Sequence, residues 1–206
     1  MPYWLNVISE RPDEAIEQAR NDTIERAKDV WGLDYADPSD GLYPSGNQIG
    51  RTQFRPGHTY GDSYTWRIND TAGGQWITSH ETGGLGNVVF ATGATGWGTF
   101  PWLQFVLTDD NFIIVEGFFS TDANPTIRET HMTLSGVSLP VMQIEEIYAS
   151  EEETNKGYLE VPAVISPKSE MRVDLRSNIV GNNLNEGFGI IGETVGKRAY
   201  LIRELY

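Results

Sequence analysis

No cysteine occurs in this chain of 206 residues. That absence removes a disulfide-stapled scaffold, a thiolate zinc site and a cysteine nucleophile together. It leaves the compartment open, because a chain without thiols tolerates oxidising and reducing surroundings alike. Positive charge is scarce as well: 15 Lys and Arg stand against 29 Asp and Glu, a formal net charge of −14. That balance disfavours gripping nucleic acid, which takes clustered cations, and docking on an anionic membrane surface. No apolar run approaches the roughly 18 residues that a membrane-spanning helix needs. The opening stretch MPYWLNVISERPDEA has neither the basic start nor the apolar core of a signal peptide.

What is present points to a folded, β-rich body. Hydrophobic residues make up 39% and charged residues 21%, which excludes a disordered acidic polymer. The length suits one large domain, or one domain with an arm. Aromatic residues (6 Trp, 9 Tyr and 8 Phe) are spread along the whole chain, as suits strands and interfaces. A soluble, acidic, β-rich protein is expected.

One helix is legible near the N-terminus. Pro12 stands where a first helical residue belongs, and Asp13 and Glu14 follow at the positive end of the helix dipole. Ile16, Ala19, Thr23, Ala27 and Val30 recur three or four apart, and Gly32 is placed to stop the helix. The spacing predicts a helix over residues 12–31. Its apolar stripe is thin, which suits a helix lying on a larger body or reaching a neighbouring subunit. Residues 1–40 are therefore read as an N-terminal arm, and residues 41–206 as the main domain.

Residues 33–63 are rich in Pro, Gly, Asp and Ser and read as turns and extended connections. Beyond them lie short strands. Tyr64, Trp66 and Ile68 alternate with polar neighbours, as do Met171, Val173 and Leu175. FPWLQFVLT and NFIIVEGFF flank Asp109 and Asp110 and predict a hairpin of two strands buried on both faces. YWLNVI, QWITS, NVVFAT, TIRETHMTL, VMQIEEIYA, YLEVPAV, FGII and AYLIREL complete the set of strand candidates. No fixed-period repeat appears, so a solenoid or propeller is not expected. The number and spacing of strands point to a sandwich or barrel.

The search for chemistry yields no constellation. His58, His80 and His131 each stand alone on a segment, without the H-x-H pairing that metal-binding barrels use, although Glu81 or Glu129 is near enough in sequence to help. Asp34, Asp37 and Asp40 fall three apart, whereas a calcium loop of the EF-hand type wants ligands two apart and a distal Glu. A solvated turn explains them, as it explains the run Glu151, Glu152 and Glu153. Gly83, Gly84 and Gly86, and then Gly93, Gly96 and Gly98, lack the following helix and Lys-Ser/Thr pair of a phosphate cradle. Ser79, His80 and Glu81 are adjacent on one strand candidate and point to alternating faces, so they form no triad. Trp76, Trp97, Trp102 and Tyr60 lie among Gly, Thr, Asn and Asp, a setting shared by loops that stack on sugar rings. The simpler reading gives those rings to a core or to subunit contacts.

The run Val164-Ile165-Ser166-Pro167-Lys168-Ser169-Glu170-Met171-Arg172-Val173-Asp174-Leu175 reads as an aliphatic strand, a Pro-x-Ser turn and an alternating strand. A polar loop from Asn178 to Glu186 follows, then Phe188-Gly189-Ile190-Ile191-Gly192 and a last strand. This order resembles the C-terminal strands of small β-sandwich or jelly-roll virion proteins from viruses of bacteria and archaea. That group includes single jelly-roll coat proteins and trimeric cement proteins of tailed-phage heads. The resemblance implies an all-β fold, an antiparallel sandwich of jelly-roll type behind an N-terminal helical arm. It implies a capsid or capsid-decorating protein located in the virion, not an enzyme and without cofactor. The partners implied are copies of itself, as in a trimer, and other capsid proteins. An arm that is net negative departs from the basic arm of a genome-contacting coat and favours an outer or accessory place. Ile16, Ala27, Val30, Trp31, Trp76, Trp97 and Trp102 are the residues expected to make contacts between subunits. A carbohydrate-binding β-sandwich or phage receptor-binding protein is the alternative, resting on the same tryptophans.

Overall fold

The computed structural model describes residues 5–8, 10–37, 47–53, 68–70, 75–77, 86–90, 101–120, 127–143, 156–177, 184–198 and 201. Helix α1 spans Asp13–Trp31. Pro12, expected as the first helical residue, instead takes the cap position just before it, at φ −82° and ψ 73°. Gly32 stops the helix as expected: it adopts φ 64° and donates its N–H to the Lys28 carbonyl at 2.7 Å. Glycine holds that left-handed conformation without a Cβ penalty.

The strands are β1 Leu5–Ile8, β2 Asp34–Tyr35, β3 Gln48–Gln53, β4 Ile68–Asp70, β5 Gln75–Ile77, β6 Gly86–Phe90 and β7 Pro101–Val106, then β8 Asn111–Ser120 and β9 Ile127–Leu134. After these come β10 Val137–Ser138, β11 Met142–Gln143, β12 Lys156–Ile165, β13 Glu170–Ser177 and β14 Leu184–Lys197. Hydrogen bonding links them in the order β2-β3-β14-β8-β12-β1-β11-β9-β13-β7. β6 lies beside β14, β10 lies beside β9, and β4 pairs with β5 apart from the rest. β1 is the seam of this order. Its Leu5 and Asn6 pair in parallel with Met142 and Gln143, while Val7 and Ile8 pair antiparallel with Leu159 and Tyr158. One half of the sheet is built on β8, β12 and β14, the other on β9, β13 and β7. The protein is β-rich, with one long helix among the described residues.

The hairpin expected across Asp109 and Asp110 does not form. β7 pairs with β13, whereas β8 pairs with β12 and β14, so the two apolar runs belong to different halves. Favoured two-residue hairpin loops need positive φ at their centre. Among the described non-glycine residues only Ser135 and Lys168 have it. The connection is held by other strands' neighbours: Leu107 N–H donates to the Ser169 carbonyl at 3.0 Å, and Lys197 N–H donates to the Asp110 carbonyl at 2.9 Å. Since β12 and β13 also lie in different halves, their turn and the β7–β8 connection form two adjacent arches. A true tight hairpin joins β9 to β10 instead, with Ser135 at φ 48° and Gly136 at φ 79°.

Other boundaries shift as well. β2 and β3 lie inside the stretch read as turns, and FGII is the middle of the longer β14. β14 ends at Lys197; of the further strand expected in AYLIREL, Leu201 is outside any strand and the remainder lies outside the described residues.

The core explains why α1 sits where it does. Ile24 and Ala27 pack with Ile49, Phe112, Ile114 and Val195, so the helix covers one face of β8, β14 and β3. On the opposite face of β8, Ile113 is 2% and Val115 0% exposed. A strand covered on both faces reads as an unbroken apolar run, which is what NFIIVEGFF presents. Of the two places expected for this helix, on a larger body or reaching a neighbouring subunit, it takes the first: it is seated on its own sheet, with Ile16 at 1% and Ala27 at 0% exposure.

Candidate functional site

Register is lost on β8 at one residue. Gly117 faces Ile191 of β14 and Val115 faces Gly192, which leaves Glu116 unmatched on that side. Toward β12, Gly117 faces Tyr158 and Val115 faces Ala163, again passing over Glu116. Against β12 the excess is residues 159–162 of β12 itself, whereas against β14 Glu116 is the extra residue, a bulge of the kind that re-aims a side chain. Glycine borders it because the strands come too close for anything larger. A Cβ on Gly117 would strike the Gly157 carbonyl oxygen, and one on Gly192 would strike the Ile114 carbonyl oxygen.

Glu116 is 3% exposed, and a carboxylate that deep needs a partner. Arg11, just before α1, donates to Glu116 Oε2 at 3.1 Å and to Asp13 Oδ1 at 2.7 Å. Arg20 on α1 grips Glu193 of β14 with both prongs of its fork, at 2.7 and 2.6 Å. Arg51 on β3 reaches the same Glu193 at 3.3 Å and pairs with Asp37 at 3.6 Å. Burial pushes the Glu116 carboxyl above its usual range; the Arg11 hydrogen bond opposes that, and the nearby Glu193 charge adds to it. The Arg20 guanidinium is held more firmly protonated, first by its hydrogen bond to Glu193. Burial alone raises Tyr158 more than the neighbouring Arg11 lowers it. Arg11 and Arg20 thus fasten the start of α1 to β8 and β14, and Arg51 ties β3 to the same Glu193. Arg11, Arg51, Thr52, Glu116, Ile191, Gly192 and Glu193 also line a cavity of about 400 Å³.

A second feature lies at the far end of α1. Trp31 meets the Phe112 ring edge-on at 5.5 Å between centroids and donates its indole N–H to the Asp109 carbonyl at 3.0 Å. The Lys197 ammonium stands 5.4 Å from the Trp31 ring and pairs with Asp110 at 2.8 Å. Lys168 pairs with Asp109 at 2.9 Å. Arg26, Val30, Trp31, Phe112 and Pro167 help to line an open groove of about 590 Å³. Val30 is 61% exposed. Trp31, four residues after Ala27, continues the buried stripe that Val30 was expected to continue.

The residues picked from sequence scatter. Ile16 and Ala27 are in the chain's own core, while Val30 and Trp31 meet at the groove. Trp76 is on β5 and Trp102 on β7; Trp97 and Tyr60 lie outside the described residues. His131 is half-buried on β9 opposite Asp174, and His58, His80 and Glu81 lie outside. Asp34 is exposed on β2 and Asp37 pairs with Arg51, while Asp40 and Glu151 to Glu153 lie outside. Among the described residues no group of three or more His, Asp or Glu side chains could hold a metal ion. None of their helices is long and apolar enough to cross a membrane. The Arg–Glu network went unread. Its signal was Glu116, the one charge in NFIIVEGFF.

No protein-family model matches the chain, and no curated protein does. Among solved structures it is similar to dimeric latent PorU from Porphyromonas gingivalis, at 13% identity and a TM-score of 0.30. The match covers 80% of this chain and 14% of that one, and a likeness this slight carries no argument.

Proposed function

We propose that this chain is a structural protein that works by associating with copies of itself, as a jelly-roll-type sandwich subunit in or on a virion shell. The observation that carries the reading is Val30, exposed beside the Trp31 groove on a helix that seats Ile16, Ile24 and Ala27 in the core. Burying an exposed valine and the apolar floor around it favours association by about 1.5–3 kcal/mol per large side chain. The occupant proposed is a second copy. Toward the groove, Arg26, Lys28, Lys168 and Lys197 balance Glu25, Asp29, Asp109 and Asp110. Around the first half of α1, Glu10, Asp13, Glu14, Glu17 and Asp22 face only Arg11 and Arg20, both of them paired with glutamates. An acidic copy therefore meets least repulsion at the groove.

Three features support the sandwich. The two adjacent arches carry consecutive strands between the halves, β8 is buried on both faces, and Met132, Met171 and Val173 of the second half are all 0% exposed. Two inner apolar faces joined by crossing connections suit face-to-face packing. The charged network pins α1 to the sheet and calls for no reaction. A net charge of −14 suits a surface turned away from packaged nucleic acid.

Sedimentation velocity across a concentration series tests the proposal. A stable oligomer is expected, weakened at least about tenfold (~1.4 kcal/mol) by Val30→Asp. A strict monomer at high concentration would overturn the reading. An oligomer indifferent to Val30→Asp would place the contact elsewhere.

A further inference from the structure

We propose that the cavity beside Glu116 is a binding site for a neutral, hydroxyl-rich molecule, such as a single sugar residue. This goes beyond self-association and does not depend on it. The wall carries two guanidinium groups, Arg11 and Arg51, and two carboxylates, Glu116 and Glu193. A small anion entering there meets both carboxylates, and a small cation meets both guanidiniums. A neutral ligand that donates and accepts meets no such opposition.

The unused hydrogen-bonding capacity on the wall is mixed in the same way. Arg51 holds Glu193 at 3.3 Å, and its 3.6 Å approach to Asp37 is too long for a hydrogen bond. Its Nε is buried without a hydrogen bond; the Tyr35 hydroxyl, which is not part of the cavity lining, interacts with the same guanidinium. Buried polar atoms without partners are rare and call for an explanation. Glu116 uses Oε2 for Arg11, and Oε1 has no hydrogen bond among the described residues. The lining thus combines guanidinium donors at Arg11 and Arg51 with carboxylate acceptors at Glu116 and Glu193, and Thr52 can serve either way.

The backbone adds to this. On the edge of β14 away from β8, β6 pairs as far as Phe188 and β3 begins at Glu193. Residues 189–192 have no strand partner on that edge among the described residues. Ile191 and Gly192, within this stretch, line the cavity. A volume of about 400 Å³ falls within the range of about 300–1,000 Å³ typical of small-molecule sites.

The test is a nuclear magnetic resonance titration of the intact chain with the methyl glycosides of glucose, galactose and N-acetylglucosamine, and with succinate as the anionic comparison. Saturable shifts of the Gly192 and Glu193 amides by at least one glycoside are expected. Arg51→Met and Thr52→Val should each weaken that binding at least about tenfold. Thr52→Val exchanges one β-branched strand residue for another, so it reports on binding even if Arg51→Met fails to fold. Absence of saturation with all three glycosides overturns the proposal. So does saturation by succinate alone, or glycoside binding that Thr52→Val leaves unchanged.

Discussion

Glu116 concentrates the conflict between burial and charge in this protein. Burial raises its carboxyl above the ordinary value, so the folded state favours the protonated form. Well below the carboxylate range the group is protonated folded or unfolded and carries no penalty. As pH rises from the ordinary value to the raised one, stability falls, and above the raised value the loss is complete. Glu116→Gln keeps the shape and removes the titration. It should melt at a higher temperature than the parent at neutral pH, with the gap closing as pH falls through the carboxylate range. A melting-temperature series against pH checks this; a variant less stable at neutral pH would mean that the Arg11 pair outweighs burial. The bulge beside it is as demanding. Gly192→Ala drives a Cβ into the Ile114 carbonyl and should cost about 1–3 kcal/mol or more in urea unfolding. A charge inside an apolar run was visible in the sequence. Its partner Arg11, 105 positions away, was not, because periodicity speaks only for near neighbours.

Among the elements, α1 was the most legible, because its signals are local: a proline and two acids at one end, a glycine at the other. Its bounds came within one residue. What it would lie on, a larger body or a neighbouring subunit, was not legible, and it is fastened to its own sheet. Arg20 is the chief fastener, gripping Glu193 with both partners largely buried. Arg20→Met leaves that carboxylate with Arg51 alone and should cost about 2–5 kcal/mol, read from urea unfolding. An effect below about 1 kcal/mol would place the pair among ordinary surface salt bridges. The strands were legible as apolar runs, but their pairing was not. β7 and β8 invited a hairpin by closeness alone, whereas neither aspartate between them supplies the positive φ such a loop takes. β3, which reads QIGRTQ, has too little apolar patterning to announce a strand, and only pairing with β14 makes it one.

The whole molecule depends on β1, which carries half its length on each part of the sheet. A chain lacking residues 1–9 keeps both large apolar faces yet loses the strand that joins them. It should unfold without a single cooperative transition, measured by near-ultraviolet circular dichroism against temperature. Retention of one sharp transition would show that the halves hold together without the seam. Composition made the β-rich class readable, while an order in which neighbours in space are far apart in sequence left no local trace. That order also sets a timetable during synthesis. Residues 5–8 emerge long before Met142 and Leu159, their partners. At about 5–20 residues per second, the earliest-made strand waits roughly 7–30 s for a place. Throughout that interval the facing edges of β11 and β12 are either unmade or bare. A newborn chain is thus most open to wrong pairing with a second nascent copy, and a cell making it in quantity meets that hazard before any finished subunit exists.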